Sequence, residues 1–282
     1  MPKTLRFALF LAALAAPITA FGQPVGELLL VQDFSEIELA APAEVKVVSF
    51  NLRGPPTGRI EDVFRVLESA PALRDAHVFL LQEVNRDHAG SADRDVGLEL
   101  AKRLKTHYAY AVESEHGKGG GVRGLAILSR FPLEDTRRIQ LPVQGPGGRR
   151  RIALGSTLRL GATRVRLYNL HLETRISAAS RGEQIGSILN DAAQFSSLPT
   201  ILAGDFNTIT AAATQSMFQV MEEAGFVSAL PGNQITFERF FLIRMVLDWI
   251  WGRNISILEA GVASQIRVSD HRPLSFKFAL ER

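Results

Sequence analysis

The stretch LPTILAGDFNT, Leu198–Thr208, carries an apolar strand that stops abruptly at a carboxylate and an amide. Residues two apart in a strand project to the same side, so Asp205 and Asn207 read as a pair at the mouth of a sheet. Such a pair can hold a hard cation or a water beside a phosphate oxygen. The same residues also suit a plain turn, with Asp205 as a cap and Asn207 in an Asx-turn before the next helix. The company they keep elsewhere in the chain decides between these readings.

Outward from this stretch, β-rich runs alternate with amphipathic ones. Strands are expected at Val45–Phe50, His77–Leu81, His107–Val112, Leu125–Leu128, Arg151–Leu160, Val165–Leu170, Thr200–Ala203, Val246–Ile250, Ile255–Leu258 and Leu274–Phe278. Helices are expected at about 60–69, 96–105, 178–194 and 211–224, the third capped by Ser177 or Ser180. Residues 23–42 read as an N-terminal linker, and nothing Pro/Ser-rich, block-charged or repeated divides the rest of the chain. The expectation is one domain over 43–282, an α/β fold with two sheets and outer helices.

With 282 residues, 46% hydrophobic and 22% charged, the chain can bury a core without help from crosslinks. It has no cysteine, which excludes disulfides, thiolate metal sites, a cysteine nucleophile and a lipidated N-terminal cysteine. Lys3 and Arg6 ahead of the apolar run Phe7–Ala16, then Ala20-Phe21-Gly22, read as a signal peptide over 1–22, and so as a periplasmic or secreted protein. Its apolar run is short for a membrane span. Removing Lys3 and Arg6 lowers the formal charge from +3 to +1, so no global field for polyanions results.

Two glycine-rich pieces, HGKGGGVRG (116–124) and QGPGGRRR (144–151), lack the strand-to-helix setting of a phosphate loop and read as flexible loops. Arg149–Arg151 reads as a solvated strand start ahead of an anion contact. Polar residues at the ends of apolar strands are more informative, because a packed sheet tolerates them only with partners. Asn51, Gln82-Glu83, His171, Asp205, Asp248 and Asp270-His271 all stand at such positions, where open α/β sheets place ligands. Any one of them has an ordinary structural reading as a cap, a turn or a satisfied histidine. Together they are hard to account for that way.

The pieces SFNLR (49–53), LLQEVN (80–85), GLAILSRFPL (124–133), YNLHLET (168–174), AGDFNT (203–208), LDWIW (247–251) and SDHRPL (269–274) resemble, in order, the motifs of the endonuclease/exonuclease/phosphatase family. The resemblance covers nearly all of 45–279. It implies a four-layer α/β/β/α sandwich, two mixed β-sheets face to face with helices outside, and a metal-dependent phosphoesterase site at one edge. Carried over by position, Glu83 would be the principal magnesium ligand, with manganese or calcium as alternatives, and Asn51 and Asp270 would join the metal or phosphate site. Asp205 and Asn207 would orient the attacking water and bind phosphate, and His171 and His271 would stabilise its developing charge. Asp248 and Asp270 would complete the site, one polarising a histidine and the other near the metal. Arg53 stands where relatives carry either aspartate or arginine, which argues against a second metal there.

The expected function is an exported phosphodiesterase acting as a monomer on DNA or RNA. A near-neutral charge and the lack of an aromatic-basic stripe for stacking weigh against nucleic acid, with Arg123, Arg149–Arg151 and Arg175 as its basic contacts. A phospholipid or small phosphoester is the alternative. There, Phe240, Phe241, Leu242, Trp249 and Trp251 within TFERFFLIRMVLDWIWG (236–252) would meet lipid, although core is the first reading of that run. An inactive binding module of the same fold is the third reading, and the full set of acidic residues argues against it.

Overall fold

The computed structural model describes residues 27–37, 39–115, 119–240 and 242–279; the expected signal peptide and Phe241 lie outside them. Numbered in chain order, one sheet runs β1 (Leu29–Asp33), β4 (His107–Glu115), β5 (Val122–Ser129), β3 (Val78–Arg86), β2 (Glu44–Asn51), β15 (Leu274–Ala279), β14 (Ser256–Val262). The second runs β10 (Val227–Ser228), β13 (Asp248–Arg253), β9 (Thr200–Asp205), β8 (Thr163–His171), β7 (Ile152–Leu160), β6 (Leu133–Gln140). A separate hairpin pairs β11 (Phe237–Arg239) with β12 (Ile243–Met245).

Three apolar clusters fill the three interfaces of a four-layer sandwich. Val45, Val47, Leu80, Ile127, Leu167, Ile201 and Phe276 lie between the sheets. The opposite face of the first sheet packs on α1 (Ile60–Ser69) and α2 (Val96–Leu104), where Ile60, Val63, Phe64 and Leu67 recur at helical spacing. The second sheet packs on α3 (Ala178–Ala193) and α4 (Ala211–Glu223), with Trp249 and Trp251 buried there and Phe218 edge-on to both. Side-chain caps set three helix starts: Asp95 accepts from Leu98 N–H, Ser177 from Ser180 N–H and Thr210 from Ala213 N–H.

Each sheet is antiparallel except for one parallel pair, β2 with β3 and β8 with β9, joined by crossovers through α1 and α3. Parallel strands end at the same edge, and here both pairs end at one edge of the sandwich. Asn51 is opposite Gln82 and His171 opposite Asp205 in these registers. Beneath them Asn169 Nδ2 crosses between the sheets to the carbonyls of Leu81 (2.8 Å) and Ala126 (2.9 Å), while Gln82 Nε2 donates to Asn169 Oδ1 at 2.7 Å. This buried network fixes how the two strand-end sets face each other.

Several elements differ from the sequence reading. Part of the expected linker is the edge strand β1, held by pairing with His107–Ala111 and by Leu30 and Phe34 packing on the helix-side core. A five-residue edge strand gains its order from that distant partner, which local pattern does not reveal. β6, LEDTRRIQ, is an edge strand whose charged residues hide its period. The expected Val246–Ile250 strand starts at Asp248. The run 236–252 divides: Leu247 and Trp249–Trp251 are core, as first read, whereas Phe240 and Leu242 at the hairpin tip are 74% and 87% exposed. No helix among the described residues is long and apolar enough to cross a membrane.

Candidate active site

Glu83 owes its place to a bulge. The β3–β5 register shifts between Leu81 and Val84, and Glu83 sits there in the left-handed region at a φ of 53°. Its Oε2 accepts from Arg123 Nη1 at 2.8 Å, and Oε1 faces Asn51 Nδ2 at 3.4 Å and His171 Nε2 at 4.0 Å. Burial alone would push this carboxyl up, but His171, Arg123 and His271 outweigh it and hold Glu83 below its ordinary range. The result is an ionised carboxylate with one oxygen turned to the cleft.

Asp205 divides its two oxygens between a turn and the cleft. Its Oδ1 accepts from Asn207 N–H at 2.9 Å, making the Asx-turn, and its Oδ2 accepts from Asn51 Nδ2 at 3.1 Å inside the site. Asn207 adopts a φ of 51° and donates Nδ2 to Leu172 O at 2.9 Å, so it braces the loop. Gly204 is required before them: its φ is 145°, and a Cβ would come within 2.0 Å of Leu170 O on the neighbouring strand.

Two histidines converge on the same oxygen. His171 Nε2 lies 3.6 Å and His271 Nε2 3.8 Å from Asp205 Oδ2. Behind His271 stands Asp248, its Oδ2 at 2.8 Å from Nδ1; behind His171 stand Glu113 Oε2 and Arg151 Nη1, each 3.0 Å from Nδ1. Asp248 is therefore the residue that polarises a histidine. Glu113 was not singled out from the sequence, because it lies within β4 in a polar-looking ESE run with no motif around it. Burial would raise its carboxyl, but His171 and Arg151 reverse this and bring it down to about 2. Asp205 moves the other way. Burial, reinforced by Asp248 and Glu83, raises it against the opposing His271 and His171.

Burial would lower His271, yet Asp248 and Asp205 raise it to about 10 from an ordinary 6.5. A histidine raised on folding stabilises fully below its unfolded pKa and loses that contribution as pH rises through the folded value. Stability is therefore expected to decline between about pH 6.5 and 10, and Asp248→Asn should flatten this decline relative to wild type, read as urea midpoints across that window. Equal pH slopes in the two proteins would refute the pairing.

The other expected site residues take more varied places. Asn51 presents its Nδ2 to the two carboxylates while its Oδ1 accepts from Arg53 N–H at 2.9 Å, so it serves the site as a donor, and its role as a metal ligand is not supported by this geometry. Asp270 Oδ2 pairs with Arg53 Nε at 3.1 Å, and its Oδ1 is 3.5 Å from Ser269 Oγ. Arg149 is exposed yet forks onto Glu173 at 2.7 and 3.0 Å, and Arg151 is buried and pairs with Glu113 and Glu173, so of this run Arg151 is not solvated and both are committed to carboxylates. Arg123 is likewise committed to Glu83, whereas Arg175 is exposed.

Hard oxygen donors suit a divalent cation, and Glu83 fits as its main ligand because its charge is retained and Oε1 faces the cleft. Asp205, Asp248 and His271 also offer ligand atoms within 4.8 Å of one another. His271 is protonated and bonded to Asp248 near neutral pH, which suits that trio for hydrogen bonding rather than ligation.

The fold therefore gathers Glu83, Asp205, Asp248, His171 and His271 at the common strand ends of a two-sheet sandwich. The profile of the Endonuclease/Exonuclease/phosphatase family matches residues 48–271, and the chain belongs to that family, whose members are generally metal-dependent hydrolases of phosphoester bonds. Among solved structures, an endonuclease/exonuclease/phosphatase from Beutenbergia cavernae superimposes with a TM-score of 0.67 at 20% identity, covering 85% of this chain and 72% of that one. A humanized D. rerio TDP2 gives 0.66 at 19% identity over 85% and 100% of the two chains. The human Nocturnin catalytic domain, which carries a bound sulfate, gives 0.65 at 19% identity over 87% and 96%. No curated protein sequence matches the chain.

Proposed function

We propose that this protein is an exported, magnesium-dependent phosphodiesterase that cleaves nucleic acid by direct attack of water. The observation that carries the reading is the convergence of two carboxylate-backed histidines on Asp205 beside an ionised Glu83. Asp205, its carboxyl raised by burial and tied to Asn51, takes the proton of the attacking water. His271, held protonated by Asp248, donates to a non-bridging phosphate oxygen, and His171, held between Glu113 and Arg151, contacts another. A divalent cation bound at Glu83 would neutralise charge on the phosphate. Asn207 keeps the Asp205 loop in register. Export rests on the signal-like sequence at 1–22, which implies a periplasmic or secreted site of action.

Hydrolysis of bis-(p-nitrophenyl) phosphate tests the chemistry. Activity should require magnesium, vanish with EDTA and return on adding magnesium, manganese or calcium with different efficiencies. Turnover unaffected by chelation would refute the metal dependence, and an inert protein would favour a binding module. The exposed Phe240 and Leu242 support phospholipid as a second substrate reading.

A further inference from the structure

The sequence shows no aromatic-basic stripe, yet the fold assembles one from three separate segments at the rim of the site. Arg53 and Arg59 come from the β2–α1 connection, Arg239 and Phe240 from the hairpin, and Arg267 from the segment before β15. Together with Asp270 they line a groove of about 280 Å³, which shares Arg53 and Arg59 with an adjoining cavity of about 380 Å³. The hairpin is fastened to the catalytic segment. Glu238 N–H donates to Asp270 O at 2.8 Å, Arg272 N–H donates to Thr236 O at 2.6 Å, and the Phe237 ring stands edge-on to His271 at 5.0 Å. The groove thus starts beside Asp270 and His271.

Its charges are unevenly neutralised. Arg53 pairs with Asp270, and Arg267 with Glu238 at 3.3 Å, but Arg59 and Arg239 have no carboxylate partner among the described residues. Arg59 closes the 3-10 turn Thr57–Arg59 and stands at the N-cap of α1 without a side-chain capping bond, so its guanidinium is not committed to the helix start. Arg239 stacks over Phe240 at 5.1 Å, and Phe240 is held outward at a φ of 53° in the hairpin turn. Guanidinium forks suit phosphate oxygens, and an exposed ring beside them suits an unstacked base.

We propose that this groove binds the nucleotide flanking the scissile bond, its phosphate on Arg59 and Arg239 and its base against Phe240, which makes single-stranded nucleic acid the substrate. Nucleic acid is favoured over a lipid surface because the arginines line a groove leading from the site, with Glu238 and Asp270 among them, whereas the exposed apolar side chains are confined to the hairpin tip. The inference rests on the phosphodiesterase reading, so binding and hydrolysis are measured apart.

Anisotropy of a labelled single-stranded oligothymidylate, in EDTA, reads the groove without chemistry. Arg59→Ala/Arg239→Ala should weaken binding about tenfold or more and lower the log–log salt slope by about one, for the one phosphate the pair holds. Phe240→Ala should weaken it about fivefold. With magnesium, the double variant should lose oligonucleotide kcat/KM while bis-(p-nitrophenyl) phosphate, which has no second phosphate, changes little. No wild-type binding, or equal affinity in all variants, overturns the proposal. So does loss of sedimentation with phosphatidylglycerol vesicles in Phe240→Asp alongside unchanged oligonucleotide binding, which would assign the hairpin to lipid. Arginine-dependent binding without hydrolysis of either ester would sustain the groove and remove the phosphodiesterase reading.

Discussion

Asp205→Asn is expected to lower kcat/KM for bis-(p-nitrophenyl) phosphate on the order of 10³-fold while leaving the fold intact. The substitution separates the two jobs of this side chain. An asparagine retains the oxygen that accepts from Asn207 N–H, so the Asx-turn persists. The other oxygen becomes an amide that cannot take a proton from water and faces Asn51 Nδ2 as donor against donor. The pH profile adds a second readout. Asp205 is raised by burial with Asp248 and Glu83, so wild-type kcat/KM should climb as this carboxyl ionises and fall as His271 loses its proton near pH 10. The variant should lack the rising limb. If the profile keeps that limb, another group is the base.

The strand-end positions were legible in the sequence because each is a polar residue closing an apolar run, and a sheet edge is where such residues are tolerated. Asn51, Glu83, His171, Asp205, Asp248 and His271 all meet in the cleft. What they do there was less legible. The bulge that turns Glu83 inward is a register shift between strands, a property of the β3–β5 pair rather than of either segment. Glu113 acts from the far side of His171, on a strand whose partner in the site lies 58 positions later in the chain, and nothing local distinguishes it from the surface-facing Glu115. Arg151 looked solvated because its partners Glu113 and Glu173 come from other strands or loops. The fold class was readable from the alternation of apolar runs, whereas β1 and β6, both at sheet edges, carry too little apolar period to be seen.

Glu83→Gln should lower activity by about 10²–10³-fold and, unlike Asp205→Asn, should also abolish the effect of magnesium on stability. Glutamine has the same reach and keeps an oxygen, so the strained backbone at φ 53° and the bulge need not rearrange. The lost charge leaves Arg123 without its carboxylate partner, but that arginine is partly exposed and can be hydrated, so the stability cost of the broken pair is small. Neighbouring His171, Arg123 and His271 hold Glu83 ionised in spite of burial, so at neutral pH wild type offers a full negative charge to a cation without first losing a proton. A ligand at a hundredfold over its Kd stabilises by about 2.7 kcal/mol, enough to raise the Tm of a domain this size by several degrees. Wild type and Asp205→Asn should both show that magnesium-dependent rise, and Glu83→Gln should not. The contrast separates a cation site at Glu83 from one built on Asp205, Asp248 and His271: a rise lost in Asp205→Asn and kept in Glu83→Gln would place the cation on the histidine side of the cleft.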